Sequence, residues 1–288
     1  MKHCGTGLVM GLLMVLTGCA IPAPLRVVSY GMPPEAADSP QVWTAQRDSV
    51  LQTVQQHKPD VLALQGVLAP QVQELRAALP DYEFVGVGSA DGASAGEFAP
   101  IFYRKQRFLV VDQGHFWLSA TPEQVGSRGW DAEYAHVATW VRLRFKDAVL
   151  RDVQIVNTQF DDHGPEARLE SARLLRKLSE SYGGRPLMVV GEFNCAVGSK
   201  PYKTLTEDRS NLAEFKDAHA SASSDKSSGK WASKFGQWSD RSRWILFNRR
   251  FEIMPAEDAP GHMDVDADGT PLMAILKISR AAAGSAYT

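Results

Sequence analysis

Three cysteines in 288 residues are too few and too badly placed for a disulfide framework. Cys4 and Cys19 lie in the leading segment, which leaves Cys195 as the one thiol of the body, and a lone thiol closes no intramolecular bridge. A surplus of either charge is missing as well: 31 Lys and Arg stand against 33 Asp and Glu, a formal net charge of −2. Without a basic surplus the chain lacks the electrostatic footing of a non-specific nucleic-acid binder. Long hydrophobic runs are also absent. The apolar stretch from Leu8 to Leu16 falls well short of the ~20 residues that a membrane-crossing helix needs. No segment repeats along the chain.

Lys2 and His3 ahead of that stretch give it the anatomy of an export signal. It ends in Leu16-Thr17-Gly18-Cys19, which resembles the lipobox of bacterial lipoproteins, where the cysteine becomes the acylated N-terminus after cleavage. The resemblance implies a signal peptide over residues 1–18, an anchor and linker over 19–24, a folded body over 25–279 and a tail over 280–288. Cys19 is then the lipidation site and the membrane a partner through the lipid. With Ala20 and no acidic residue behind the cysteine, the resemblance implies a place in the cell envelope, on the outer membrane facing the periplasm. The alternative is a secreted protein cut near Ala20 or Ala23. Cys195 is read either as a nucleophile or as a small residue packed at a strand end.

The body is ordinary for a globular protein, with 44% hydrophobic and 22% charged residues, enough to bury a full core in one domain. Apolar, β-branched runs at 25–30, 61–65, 99–104, 108–114, 139–145, 153–160, 187–192, 244–248 and 272–278 read as strands. Residues 41–58 and 166–181 carry apolar positions at three-to-four spacing and read as helices, with shorter ones at 70–79 and 201–207. Paired strands interspersed with helices predict an α/β fold of two packed mixed sheets with helices on the outer faces. Gly86–Glu97 and Ser221–Ser239 read as mobile loops. Lys226, Lys230, Lys234, Arg241, Arg243, Arg249 and Arg250 are interleaved with Trp231, Phe235, Trp238 and Trp244, either as a surface for anions or bases or as a solvated cover over core tryptophans.

At the end of the apolar run Pro186–Val190 stands Gly191-Glu192-Phe193-Asn194, which resembles the Gly-Asp-Phe-Asn turn of the endonuclease/exonuclease/phosphatase superfamily. Ile101-Phe102-Tyr103-Arg104, Phe116-Trp117-Leu118-Ser119, Gly126-Ser127-Arg128-Gly129-Trp130-Asp131 and Thr139-Trp140 are similar to its bacterial hydrolase branch. The resemblance implies the DNase I-like four-layer sandwich and phosphoester hydrolysis with Mg²⁺ or Mn²⁺. It also shows what this chain has lost. Gly31 stands where the family's first strand ends in Asn, and Gly66 where the metal-binding Glu belongs. Asn157-Thr158-Gln159 replaces Asn-Thr-His, keeping a donor for a phosphate oxygen. Glu192 is longer by a methylene than the family Asp that orients water. His136 stands for an Arg. Arg243 takes the place of the Asp that orients the catalytic His, and Gly269, in Ala267-Asp268-Gly269-Thr270-Pro271, the place of that His; a shifted alignment brings in His262 instead.

Three readings follow. The first is a membrane-anchored pseudoenzyme with a binding or scaffold role, its protein partner unidentified and its ligand anionic or phosphorylated. The second is a metal-dependent hydrolase with a rearranged centre of Glu192, Asn194, Asp268 and His262, in which Asp161 is a further metal-binding carboxylate. The third is a calcium- or partner-binding module, since Asp264, Asp266 and Asp268 alternate before Gly269 as in a calcium loop, although Ile275 falls where a bidentate carboxylate belongs; a polar turn is the alternative. Asp161-Asp162-His163 could also hold a metal or be merely solvated.

Overall fold

The computed structural model describes residues 22–148, 151–182, 184–207, 214–223, 242–254 and 271–279. In chain order these form β1 (Leu25–Gly31), α1 (Glu35–Asp38), α2 (Pro40–His57), β2 (Val61–Gln65), α3 (Ala69–Ala78), β3 (Tyr82–Val85), β4 (Ile101–Arg104), β5 (Phe108–Trp117) and β6 (Val137–Phe145). They continue as β7 (Asp152–Gln159), α4 (Pro165–Ser181), β8 (Leu187–Glu192), α5 (Lys200–Thr206), β9 (Phe215–Asp217), α6 (Ala218–Ser223), β10 (Arg243–Asn248), β11 (Phe251–Ile253) and β12 (Leu272–Ile278). One mixed sheet has the order β11-β12-β1-β2-β4-β3 and the other β5-β6-β7-β8-β10-β9.

Side-chain alternation explains the layering. From β1, Val27 faces the second sheet, joining Val61, Ala63, Val141, Ile155, Met188, Val190 and Ile245 in the central core. Its neighbours Val28 and Tyr30 face outward and pack with Trp43, Val50 and Val54 of α2 and with Val72 and Leu75 of α3. The second sheet does the same: Val156, Val189 and Leu246 point away from the first sheet and pack on Ala172 and Leu175 of α4 and Leu205 of α5. The result is the four-layer sandwich that the pattern of apolar runs implies. Every predicted strand and helix is present. β3, β9 and β11, of three or four residues, are too short to show a period.

Local chemistry sets the helix ends. Ser39 caps α2, its Oγ accepting from the Val42 N–H at 3.3 Å, Pro40 begins the helix, and Lys58 closes it in the left-handed region at φ 44°. Gly164 precedes α4, whose first-turn Ala167 N–H donates to Asp131 Oδ1 at 2.6 Å. Asp131, from the segment that resembles the hydrolase branch, thus supplies the anion at a helix N-terminus. The Gly86–Glu97 segment is knitted rather than open. Asp91 Oδ1 accepts from the Ala93 and Ala95 N–H groups, which hold its carboxyl below the usual range, and Ala90 N–H donates to Ala95 O at 3.0 Å.

Candidate functional site

β1 and β2 run parallel, as do β7 and β8, and β10 returns antiparallel beside β8. Register therefore puts Gln159, Glu192 and Arg243 side by side on one rim of the second sheet, with Gln159 opposite Glu192 and Glu192 opposite Arg243. Gly31, paired with Gln65 at the ends of β1 and β2, approaches from the first sheet.

Arg243 is buried, 8% exposed, and its Nε lies 3.2 Å from Glu192 Oε2. The other carboxylate oxygen, Oε1, accepts from the Ser242 hydroxyl. The glycines make room for this pair. A Cβ on Gly31 would begin 2.9 Å from Glu192 Oε2 and 3.4 Å from Arg243 Cδ. Gly66 takes φ +71°, and a Cβ there would lie 3.2 Å from Gln159 Oε1. The carboxylate at 192, the guanidinium at 243 and the amide at 159 thus occupy the space that side chains at Gly31 and Gly66 would enter. Arg243 Nη1, 3.6 Å from the Gly31 Cβ position, is buried without a hydrogen-bond partner among the described residues.

Two residues do other work than expected. Asn157 offers nothing to a ligand, being wholly buried. Its Nδ2 donates to Leu64 O at 2.8 Å and to Pro100 O at 2.9 Å, and its Oδ1 accepts from Gln65 Nε2 at 2.7 Å. It binds one sheet to the other. Asp161 is equally occupied: Oδ2 accepts from the Glu133 N–H at 2.9 Å and meets His136 Nε2 at 3.1 Å, while Oδ1 accepts from the His163 and Gly164 N–H groups. Burial pushes this carboxyl up, but the Gly164 and Glu133 amides, with His136, outweigh it and hold it at about 2. His136 therefore serves Asp161. Asp162 and His163 are exposed, and His163 Nδ1 faces Asp162 Oδ1 at 2.8 Å and Glu133 Oε2 at 3.0 Å.

Asn194 takes φ 48°, a left-handed conformation that Asn tolerates better than most residues, and its Nδ2 donates to Phe160 O at 2.7 Å. Phe193 beside it stacks on Trp244 at 4.3 Å, so this member of the basic aromatic segment is a core tryptophan. Cys195 is half-buried, and burial pushes its thiol up to about 11, which denies it a thiolate at neutral pH. Asp264, Asp266, Asp268, His262 and Gly269 lie outside the described residues, as does the whole segment from 226 to 241. Sequence reasoning missed Ser242 and the Ser29–Gln65 contact at 3.3 Å. The signal for the latter was Gln65 itself, a lone amide ending the apolar run Val61–Leu64.

The four-layer sandwich, with its turn of Gly191–Asn194 on this rim, defines a class of protein. The chain belongs to the Endonuclease/Exonuclease/phosphatase family, whose model matches residues 38–251. An endonuclease/exonuclease/phosphatase from Bacteroides vulgatus is 31% identical, with TM-score 0.73 over 90% of this chain and 100% of its own. The mannosyl-6-phosphatase Bt3783 of Bacteroides thetaiotaomicron is 26% identical, with TM-score 0.72 over 88% and 99%. The human Nocturnin catalytic domain, solved with a bound sulfate anion, shares the fold at 19% identity and TM-score 0.65, over 89% and 94%. No curated protein matches.

The family implies a divalent metal, which the residues described at this rim do not fit, although Asp161, Asp162 and His163 bring ligand atoms within 4.8 Å of one another. Mg²⁺ needs one or two carboxylates to fix it. Position 66 supplies none, Asp161 is spent on donors, and Glu192 is engaged by a hydroxyl and a guanidinium whose charge opposes a second cation.

Proposed function

We propose that this chain is a family member that has exchanged metal-dependent phosphoester hydrolysis for a binding or scaffold role, held at the bacterial envelope by a lipid on Cys19. The observation that carries the reading is the 3.2 Å Arg243–Glu192 pair. A carboxylate buried without a cation is costly. Family members meet that need with a metal; here arginine meets it from within the chain, and arginine stays protonated. One relative is a mannosyl-6-phosphatase and another was solved with a bound sulfate anion, which supports an anionic or phosphorylated ligand.

The test is hydrolysis of model phosphodiesters and phosphomonoesters by the purified protein with Mg²⁺ or Mn²⁺, beside calorimetric titration of Mg²⁺, Mn²⁺ and Ca²⁺. Neither turnover nor heat of metal binding at the site is expected. Metal-dependent turnover abolished by Glu192→Ala overturns the reading in favour of a rearranged hydrolase. The anchor is tested separately: Cys19→Ala moves the protein out of the membrane fraction obtained with detergent, and unchanged fractionation rejects lipidation.

A further inference from the structure

We propose that the end of the sandwich opposite the candidate site is a docking face for anionic phospholipid headgroups, which holds the site pointing away from the bilayer. This rests on the lipid-anchor reading above.

Strand direction collects three turns at that end. With Gly31, Gln65, Gln159, Glu192 and Arg243 on one rim, the start of β1, the β4–β5 turn, the β6–β7 turn and the β10–β11 turn lie at the other. These turns carry Arg104, Lys105, Arg107, Lys146, Arg151 and Arg249. Lys105, Lys146 and Arg249 are exposed. Opposing charge is present but partly engaged: buried Asp60 pairs with Arg107 and lies 3.9 Å from Arg104, Asp152 pairs with Arg144, and Asp81 and Asp147 are exposed.

The chain enters the fold at the same place. Arg107 donates to Pro24 O at 3.0 Å and also to Ala23 O, which ties the first described residues to the β4–β5 turn. Cys19 stands three positions ahead of Pro22, and an extended chain covers at most ~3.6 Å per residue. An acylated Cys19 therefore keeps Ala23, which Arg107 holds, within about 14 Å of the lipidated residue, between one and two Debye lengths, where cations still feel anionic lipid.

Two further features suit that neighbour. A hollow of about 230 Å³ opens here, lined by Arg104, Gln106, Arg107, Lys146 and Asp147, a size that admits a headgroup phosphate among three cations. Two residues after Arg107, Leu109 is 54% exposed and Val110 38%. Apolar side chains beside cations match the boundary between headgroups and acyl chains.

The test is hydrogen exchange of the full acylated chain in nanodiscs, in neutral phosphatidylcholine and in the same lipid with about a third phosphatidylglycerol. Recovery of the chain in neutral discs checks the anchor alone; failure there sinks the anchor reading and the docking face with it. With the anchor intact, amides at 104–110 and 144–148 exchange severalfold more slowly in anionic discs, an effect lost at high salt, while 192–197 is unchanged. Lys105→Glu with Lys146→Glu abolishes the difference. If that variant folds poorly, Lys105→Gln with Lys146→Gln reduces it, since each cation is worth roughly fivefold in partition. Equal exchange in both lipids, or protection at 192–197, overturns the docking face and leaves the anchor standing.

Discussion

Gly31 has no side chain, and the carboxylate of Glu192 lies 2.9 Å from where one would begin. A side chain there collides with the pair, so Gly31→Asn is expected to cost about 1–3 kcal/mol, the usual result of overpacking a filled interior, read by urea denaturation. Arg243→Ala removes the cation. Breaking a fully buried pair costs roughly 3–5 kcal/mol, but Glu192 keeps Ser242 and its side chain is 17% exposed, so about 2 kcal/mol is expected. In a double-mutant cycle, Arg243→Met with Glu192→Gln is less destabilised than the single changes sum to; additivity means the contact contributes nothing. Asp161 gives a pH signature. Its folded pKa, about 2, lies below the ordinary 3.8, so its contribution is complete above about pH 4 and lost as pH falls through 2. Asp161→Asn loses roughly 2 kcal/mol at pH 7, and the gap from the unsubstituted protein narrows on acidification below pH 4. A gap that stays constant with pH rejects the charge argument.

At the level of elements, Asn157 is the bolt between β7 and the first sheet. Asn157→Leu keeps the volume but leaves Gln65 Nε2 with Ala63 O at 3.4 Å in place of its 2.7 Å partner and removes the donor to Leu64 O and Pro100 O, of which Pro100 O keeps the Leu64 N–H at 3.1 Å. A fully stranded buried group costs about 1–3 kcal/mol, and two of these three keep a partner, so a loss of about 2 kcal/mol is expected in chemical denaturation. A loss below about 1 kcal/mol, the low end of that range, means the cross-sheet bonds are dispensable. The same commitment explains why the Asn157-Thr158-Gln159 strand does not present two donors to the rim: Asn157 and Gln159 share a face, but Asn157 lies deeper along β7, wholly buried between the sheets, and only Gln159, half-buried at the strand end, stays beside Glu192.

Taken as a whole, the molecule shows a metal only through linkage. A ligand that binds the folded state alone stabilises it by about 2.7 kcal/mol at a hundredfold excess over Kd, and in a domain of this size each kcal/mol raises Tm by about 2–4 °C. The melting temperature is therefore expected to stay within about 1 °C when Mg²⁺ or Mn²⁺ is added to about 5 mM. A rise of several degrees, absent in Glu192→Ala, marks a metal site at this rim. Much of this was legible beforehand. Unbroken apolar, β-branched runs mark strands buried on both faces, so the sheets could be read from the runs around Val27, Val61, Ile155 and Val190, and the Gly191–Asn194 turn pointed to the family. Tertiary structure alone decided what the remaining polar residues do. Asn157 finds its partner 93 positions away at Leu64, Asp161 one 28 positions away at Glu133, and Arg243 meets Glu192 because β10 pairs antiparallel with β8. A sequence states which donors and acceptors exist. Which of them are used up inside the protein depends on how two sheets are brought face to face, and that is set by the packing of the core, far along the chain from the residues it commits.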